Sequence, residues 1–133
     1  MGAKKINILL VEDNPADQLL AKEIILSANP EVDITVLDDG EKAINAVEGW
    51  SKPNSPDIVF LDLNLPRRNG HEVLEFIKNK DFRIRVIVLT GSNSEKDIAK
   101  ARDYGIMDYI IKPIGMKELE ETIARVKTHL EPT

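Results

Sequence analysis

Ile6-Asn7-Ile8-Leu9-Leu10-Val11-Glu12-Asp13-Asn14-Pro15 is the stretch on which the fold turns. Five of its first six residues are apolar, which fits a strand covered on both faces. Two acids then end the run. Asn14 is a good helix N-cap and Pro15 suits a first helical turn. The helix is expected to reach about Asn29, with Leu20, Ile24 and Ala28 on its apolar stripe, and Pro30 stops it.

The same strand-then-helix unit recurs outward from this point. Val32 to Leu37 alternates apolar and polar residues, as an edge strand with one wet face would. Asp38-Asp39-Gly40 leads into a second helix with a narrow face of Ala43, Ala46 and Val47. Gly49 to Pro56 reads as a loop. Asp57 to Leu61 is the third strand, and Gly70 opens a helix that aligns Val73, Leu74 and Ile77. Ile84 to Leu89 is the fourth strand. Ser94 caps the next helix, with Asp97 three residues on in a near capping box, Ile98 and Ala101 as a thin apolar face, and Gly105 at its end. Ile106 to Ile111 is the fifth strand. The last helix carries Leu119, Ile123, Val126 and Leu130 at heptad-like spacing. Strict alternation favours an α/β fold, a parallel sheet with helices on both faces. Residues 1–133 read as one domain without repeats, and Glu131-Pro132-Thr133 is too short for an output module.

Bulk properties narrow the function classes. A chain of 133 residues with 42% hydrophobic and 31% charged residues can bury a core without staples. No apolar run approaches the ~20 residues needed to span a bilayer. The stretch after Lys4-Lys5 is broken too soon by Glu12-Asp13 for a signal peptide, and Ile6 fails the myristoylation pattern that Gly2 begins. The cytoplasm is the expected compartment. The absence of cysteine excludes disulfides and thiolate metal sites. A net charge of −5 with no dense Lys/Arg cluster argues against nucleic-acid binding.

In an open parallel sheet, ligands bind beyond the carboxyl ends of the strands. Glu12 and Asp13 follow the first strand, Asp62 the third, Thr90, Gly91 and Ser92 the fourth, and Lys112 the fifth. If those strands are neighbours, three carboxylates crowd at one end and require a cation or raised pKa values. An all-oxygen set suits Mg²⁺. Lys112 adds positive charge and Thr90 a hydroxyl donor, so the set suits an oxyanion beside a metal, and Asp62 is placed to act as a nucleophile that forms an acyl phosphate. Taken alone, Glu12-Asp13 reads equally as a polar turn before a cap, Thr90 as a turn residue, Lys112 as a surface lysine and Tyr109 as strand packing. His71 and His129 read as solvated, Arg67-Arg68 as a solvated loop bordering the site, and Trp50 as a cover for the end of the second helix.

Ile8-Leu9-Leu10-Val11-Glu12-Asp13-Asn14, Asp62 with Pro66 and Gly70, Leu89-Thr90-Gly91, and Tyr109-Ile110-Ile111-Lys112-Pro113 together resemble the receiver domains of two-component response regulators. The resemblance implies a flavodoxin-like, doubly wound five-stranded sheet of order 2-1-3-4-5 with five helices. It implies that Asp62 takes a phosphoryl group from a sensor histidine kinase, as a switch and not an enzyme. Asp13, Asp62 and the backbone carbonyl of Asn64 would bind Mg²⁺, Glu12 would hold metal-bound water, Thr90 and Lys112 would contact the phosphoryl oxygens, and Tyr109 would change rotamer as Thr90 moves. Lys112-Pro113 would be cis. Leu61 to Pro66 and the Gly49 to Pro56 loop most resemble stand-alone regulators paired with bacterial phytochromes, which would make light the input. The fourth helix, fifth strand and fifth helix would be the signalling and dimerising surface. Two departures stand out: Glu12-Asp13 replaces the commoner Asp-Asp, and Gly91 replaces the usual Ala. A haloacid dehalogenase-type phosphatase would need an acid where Asn64 stands. A flavin module would need a phosphate-cradling loop where Glu12-Asp13 repels one. A degenerate receiver would lack the complete acidic set.

Overall fold

In the computed structural model, which describes residues 5–130 and only the backbone of 127–130, Ile6–Val11 forms strand β1 at the heart of a parallel sheet. The remaining elements follow in alternation: α1 Pro15–Ala28, β2 Val32–Leu37, α2 Gly40–Glu48, β3 Ile58–Leu61, α3 Gly70–Lys78, β4 Arg85–Thr90, α4 Glu95–Asp103, β5 Asp108–Ile111 and α5 Met116–Leu130, with a short 3₁₀ turn at Lys52–Asn54. The strand order is β2-β1-β3-β4-β5. All pairings are parallel. Order and element count agree with the expected doubly wound topology, and β2 is at the edge as its alternation implied. The start of the chain and the Glu131-Pro132-Thr133 tail lie outside the described residues, as do the side chains of His129 and Leu130.

Period-two alternation divides each central strand between two cores. Ile8, Leu10, Ile58, Phe60, Ile87 and Leu89 face α1 and α5, where Ile24, Ile25, Leu119, Ile123 and Val126 meet them. Leu9, Val11, Val59, Leu61, Val86 and Val88 face α2, α3 and α4, against Ala43, Ile44, Val73, Leu74 and Ala101. Burial on both faces is why these strands read as unbroken apolar runs.

Several boundaries and faces differ from expectation. Residues Ala21, Ile24 and Ile25 form the buried face of α1, while Leu20 is at the rim and Leu19 is 60% exposed. A rotation of one position about the helix axis separates the two stripes, and both satisfy a 3.6-residue period. In α2, Ile44 is buried and Ala46 only partly so. β5 begins at Asp108, since Gly105 takes a φ of +80° and turns the chain before it. β4 extends to Thr90. The full capping box belongs to α3, where Asn69 and Glu72 satisfy each other's backbone N–H. Ser94 caps α4, but the Asp97 side chain is engaged elsewhere.

Glycine at position 70 is required by a close approach. A β-carbon there would lie 2.5 Å from the Asp62 carbonyl oxygen and from the Leu63 Cα. The start of α3 therefore presses directly on the backbone that carries Asp62, and Gly70 N–H donates to the Leu63 carbonyl at 2.9 Å. We predict that Gly70→Ala destabilises the fold by about 2 kcal/mol or more in urea titrations. Gly49→Ala, whose β-carbon would meet its nearest neighbour at 3.6 Å, is the control and should change stability by no more than about 0.5 kcal/mol. Equal effects would contradict the packing argument.

Candidate functional site

Strand register brings the expected residues to one edge. Val11 is paired with Leu61, so Glu12 and Asp62 leave the sheet side by side, and Thr90 is paired with Ile111, so Lys112 leaves the same end of the sheet two strands from Asp62. Their backbones are tied across the strands: Asp62 N–H donates to the Val11 carbonyl at 3.0 Å, and Lys112 N–H to the Thr90 carbonyl at 2.8 Å. Glu12, Asp62 and Thr90 are buried. Asp13 and Asn64 are exposed at the mouth.

The Lys112 ammonium is the centre of the site. Its Nζ lies 2.6 Å from Glu12 Oε1, 2.8 Å from Asp17 Oδ2 and 2.9 Å from Asp62 Oδ2. Three acceptors match the three protons of an ammonium. Burial acts to lower the Lys112 pKa, but hydrogen bonds to Asp17, Glu12 and Asp62 outweigh it and hold the group firmly charged. Glu12 shows the opposite balance. Its burial raises the carboxyl pKa to about 7, with the neighbouring Asp62 charge adding to the rise and the Lys112 hydrogen bond only partly offsetting it. Asp62 Oδ1 accepts from Asn64 N–H at 3.0 Å, which fixes the carboxylate plane.

Glu12, Asp13 and Asp62 each bring one carboxylate oxygen to within 4.8 Å of the others. This is the acidic cluster expected from the strand ends, and its all-oxygen chemistry fits a hard divalent cation. A β-carbon on Gly91 would meet nothing within 4 Å, so the approach over Thr90 is open. Lys112-Pro113 is cis. Tyr109 is half-buried, and its hydroxyl donates to the Ser92 carbonyl at 2.9 Å. Burial raises the phenol pKa.

Three participants escaped the sequence reading. Asp17 lies one helical turn after Asp13, and Gln18 donates through Nε2 to the Glu12 carbonyl at 2.6 Å. His71 is not solvated: its side chain is 13% exposed and its Nε2 lies 3.1 Å from Asp97 Oδ1. Arg67 is exposed as expected, in the left-handed region at φ 70°, and it pairs with Asp39 and Glu41. Arg68 is half-buried, pairs with Glu72 and stacks over Phe76. Trp50 is half-buried and packs against the core cluster that includes α2, as expected of a cover.

Residues 8–124 match the response regulator receiver domain family. The chain belongs to that family. Response regulator Rcp1 of Synechocystis sp. is 33% identical over 91% of this chain and 86% of its own length. The phosphorylated cyanobacterial phytochrome response regulator RcpA shares 32% identity and a TM-score of 0.78, with 93% of this chain and 92% of that one covered. The receiver domain of sensor histidine kinase PA1611 from Pseudomonas aeruginosa, solved with a magnesium ion in its active-site cleft, shares 27% identity and a TM-score of 0.77, covering 92% and 97%. Receiver membership makes the chain a phosphoacceptor switch with a cognate sensor histidine kinase as partner, related to phytochrome-associated regulators. The acidic cluster is suited to a divalent cation. Among the described residues no helix is long and apolar enough to cross a membrane.

Burial of Glu12, with the Asp62 charge beside it, gives a pH signature. Glu12 has a folded-state pKa of about 7 against an ordinary 4.5, so between those values the folded chain keeps a proton that the unfolded chain has lost. Stability in metal-free buffer therefore falls as pH rises through this window, by on the order of 3 kcal/mol from this group. With chelator present, Glu12→Gln should melt several degrees above the parent at pH 8, and the gap should close toward pH 5. A gap that is the same at both pH values would contradict this assignment.

Proposed function

We propose that Asp62 accepts a phosphoryl group from a sensor histidine kinase, with Mg²⁺ held by Asp13, Asp62 and the Asn64 carbonyl and with Glu12 on metal-bound water. The observation that carries this reading is the Lys112 ammonium 2.9 Å from Asp62 beside two further clustered acids. When bound, the metal neutralises the acids and the incoming phosphoryl charge.

The protein's own residues do the rest. A carboxylate oxygen of Asp62 attacks phosphorus, the bond from phosphorus to the donor breaks, and an acyl phosphate remains on Asp62. Asn64 N–H orients the carboxylate. Lys112 is fixed in its charged form and has only to exchange one carboxylate acceptor for a phosphoryl oxygen. Thr90, buried at the end of β4, supplies a hydroxyl to the same group, and its movement lets Tyr109 respond.

With acetyl phosphate and Mg²⁺ the chain should gain about 80 Da on intact-mass spectrometry, the mass of one phosphoryl group. Asp62→Asn should abolish the gain, and chelator should stop it because uncompensated carboxylates repel an anionic donor. Full labelling of Asp62→Asn would sink the assignment.

The chain acts as a single receiver unit that signals through α4, β5 and α5, where Ile111 and Met116 are exposed. The RcpA and Rcp1 likenesses support a phytochrome as the kinase and light as the input. A net charge of −5 weighs against direct nucleic-acid binding. A symmetric dimer on the α4-β5-α5 surface follows, and light scattering with and without phosphoryl donor should detect it. A monomer in both states at high concentration rejects the dimer while leaving phosphotransfer untouched.

A further inference from the structure

His71 opens α3 and Asp97 stands in the first turn of α4, yet the two side chains meet at 3.1 Å through Nε2 and Oδ1. The other oxygen of Asp97 accepts from Ser92 Oγ at 2.6 Å. These hydrogen bonds hold the Asp97 carboxyl below its ordinary pKa, Ser92 contributing most and His71 next. Because the ionised carboxylate only accepts, Nε2 must carry the imidazole hydrogen. His71 Nδ1 is buried without a partner among the described residues. The ring therefore makes one directed polar contact, and that contact is the bond to Asp97.

Ser92 is where this chain of bonds reaches the switch. Its carbonyl accepts from the Tyr109 hydroxyl at 2.9 Å, and its N–H points at Thr90 Oγ1 at 3.4 Å. Ser92 Oγ also accepts from Ser94 N–H at 3.3 Å. The loop over residues 91–94 is thus clamped from one side by Asp97 and read from the other by Tyr109. Ser92 is half-buried and Gly91, Asn93 and Ser94 are exposed, so hydrogen bonds more than packing set the position of the loop. A loop of this kind samples several conformations unless directed contacts select one.

We propose that His71 and Asp97 are positioning residues that latch Ser92 where its carbonyl receives the Tyr109 hydroxyl, so that this bonded form of Tyr109 is already favoured before Asp62 is modified. The latch holds Asp97, Asp97 holds Ser92, and Ser92 holds Tyr109. No group in this path touches the phosphoryl site directly except through Thr90. The functional meaning rests on the phosphoacceptor reading above. The conformational claim does not, because it concerns the free protein.

The test uses the full chain labelled with ¹³C-tyrosine, with and without Mg²⁺ and beryllofluoride, a phosphoryl mimic. His71→Leu removes the bond and keeps an apolar side chain. His71→Gln places a donor where Nε2 stands and is the rescue. Asp97→Ala cuts the path one step later. In free His71→Leu and Asp97→Ala the Tyr109 ring contacts to the 91–94 loop should weaken and its resonances shift. Beryllofluoride affinity should fall about threefold to tenfold, since binding must then also select the minor conformer. His71→Gln should stay within about twofold of the parent. A fall in melting temperature with Tyr109 unmoved would mean that the pair merely joins α3 to α4, and would overturn the proposal. If His71→Leu does not fold, His71→Gln against Asp97→Ala decides it. Should the parent fail to bind beryllofluoride, the phosphoacceptor reading falls, and the free-state resonances alone decide the latch.

Discussion

One ammonium group faces more negative charge than it can neutralise. Lys112 touches Glu12, Asp17 and Asp62, and Asp13 completes the acidic cluster at the mouth. Two like charges about 4 Å apart repel by roughly 4 kcal/mol at the effective dielectric of a protein surface. Glu12, desolvated by burial and beside the Asp62 charge, holds its proton to near neutral pH. The arrangement is a poor one for an empty, resting pocket and a good one for taking up a divalent cation and an oxyanion together. Function here comes from an imbalance that the fold sustains.

Sustaining it requires backbone that cannot relax. Carboxylates on mobile loops would swing apart into water. Here Glu12 and Asp62 follow strands whose faces are both buried, and their own N–H groups remain bonded to neighbouring strands at the Leu37 and Val11 carbonyls. Behind Asp62 the start of α3 is in direct backbone contact at Gly70. The two apolar clusters on either side of the sheet supply the stability that the charged end consumes.

Alternation of apolar runs with amphipathic segments made the fold legible from the sequence, and position after each strand made the acidic set legible too. What stayed hidden has physical causes. In α1, the stripes through Leu20 and through Ala21 both obey helical periodicity, and only the neighbouring α5 and sheet decide between them. Ser94 with Asp97 reads as a near capping box in the sequence, and Asn69 with Glu72 has the same spacing. The box closes at Glu72, whose longer side chain reaches back to its cap, whereas Asp97 is drawn away by Ser92 and His71. Asp17 and His71 were illegible for a simpler reason: their partners lie 95 and 26 residues away, and local pattern carries no trace of such pairs.

The two polar networks meet at one residue. Ser92 faces Thr90 with its N–H and Tyr109 with its carbonyl, while its hydroxyl goes to Asp97. Hydrogen bonds of this kind weaken steeply with distance and angle. A small displacement of the Thr90 hydroxyl toward a new partner therefore does not stretch the network evenly. Under the proposed switch it would break or make a bond at Ser92, the residue whose carbonyl also receives the half-buried Tyr109 hydroxyl. Under the proposed phosphoacceptor reading, a change at Asp62 would reach the α4-β5 surface through Ser92, because directed bonds tie that residue to Thr90, Tyr109 and Asp97.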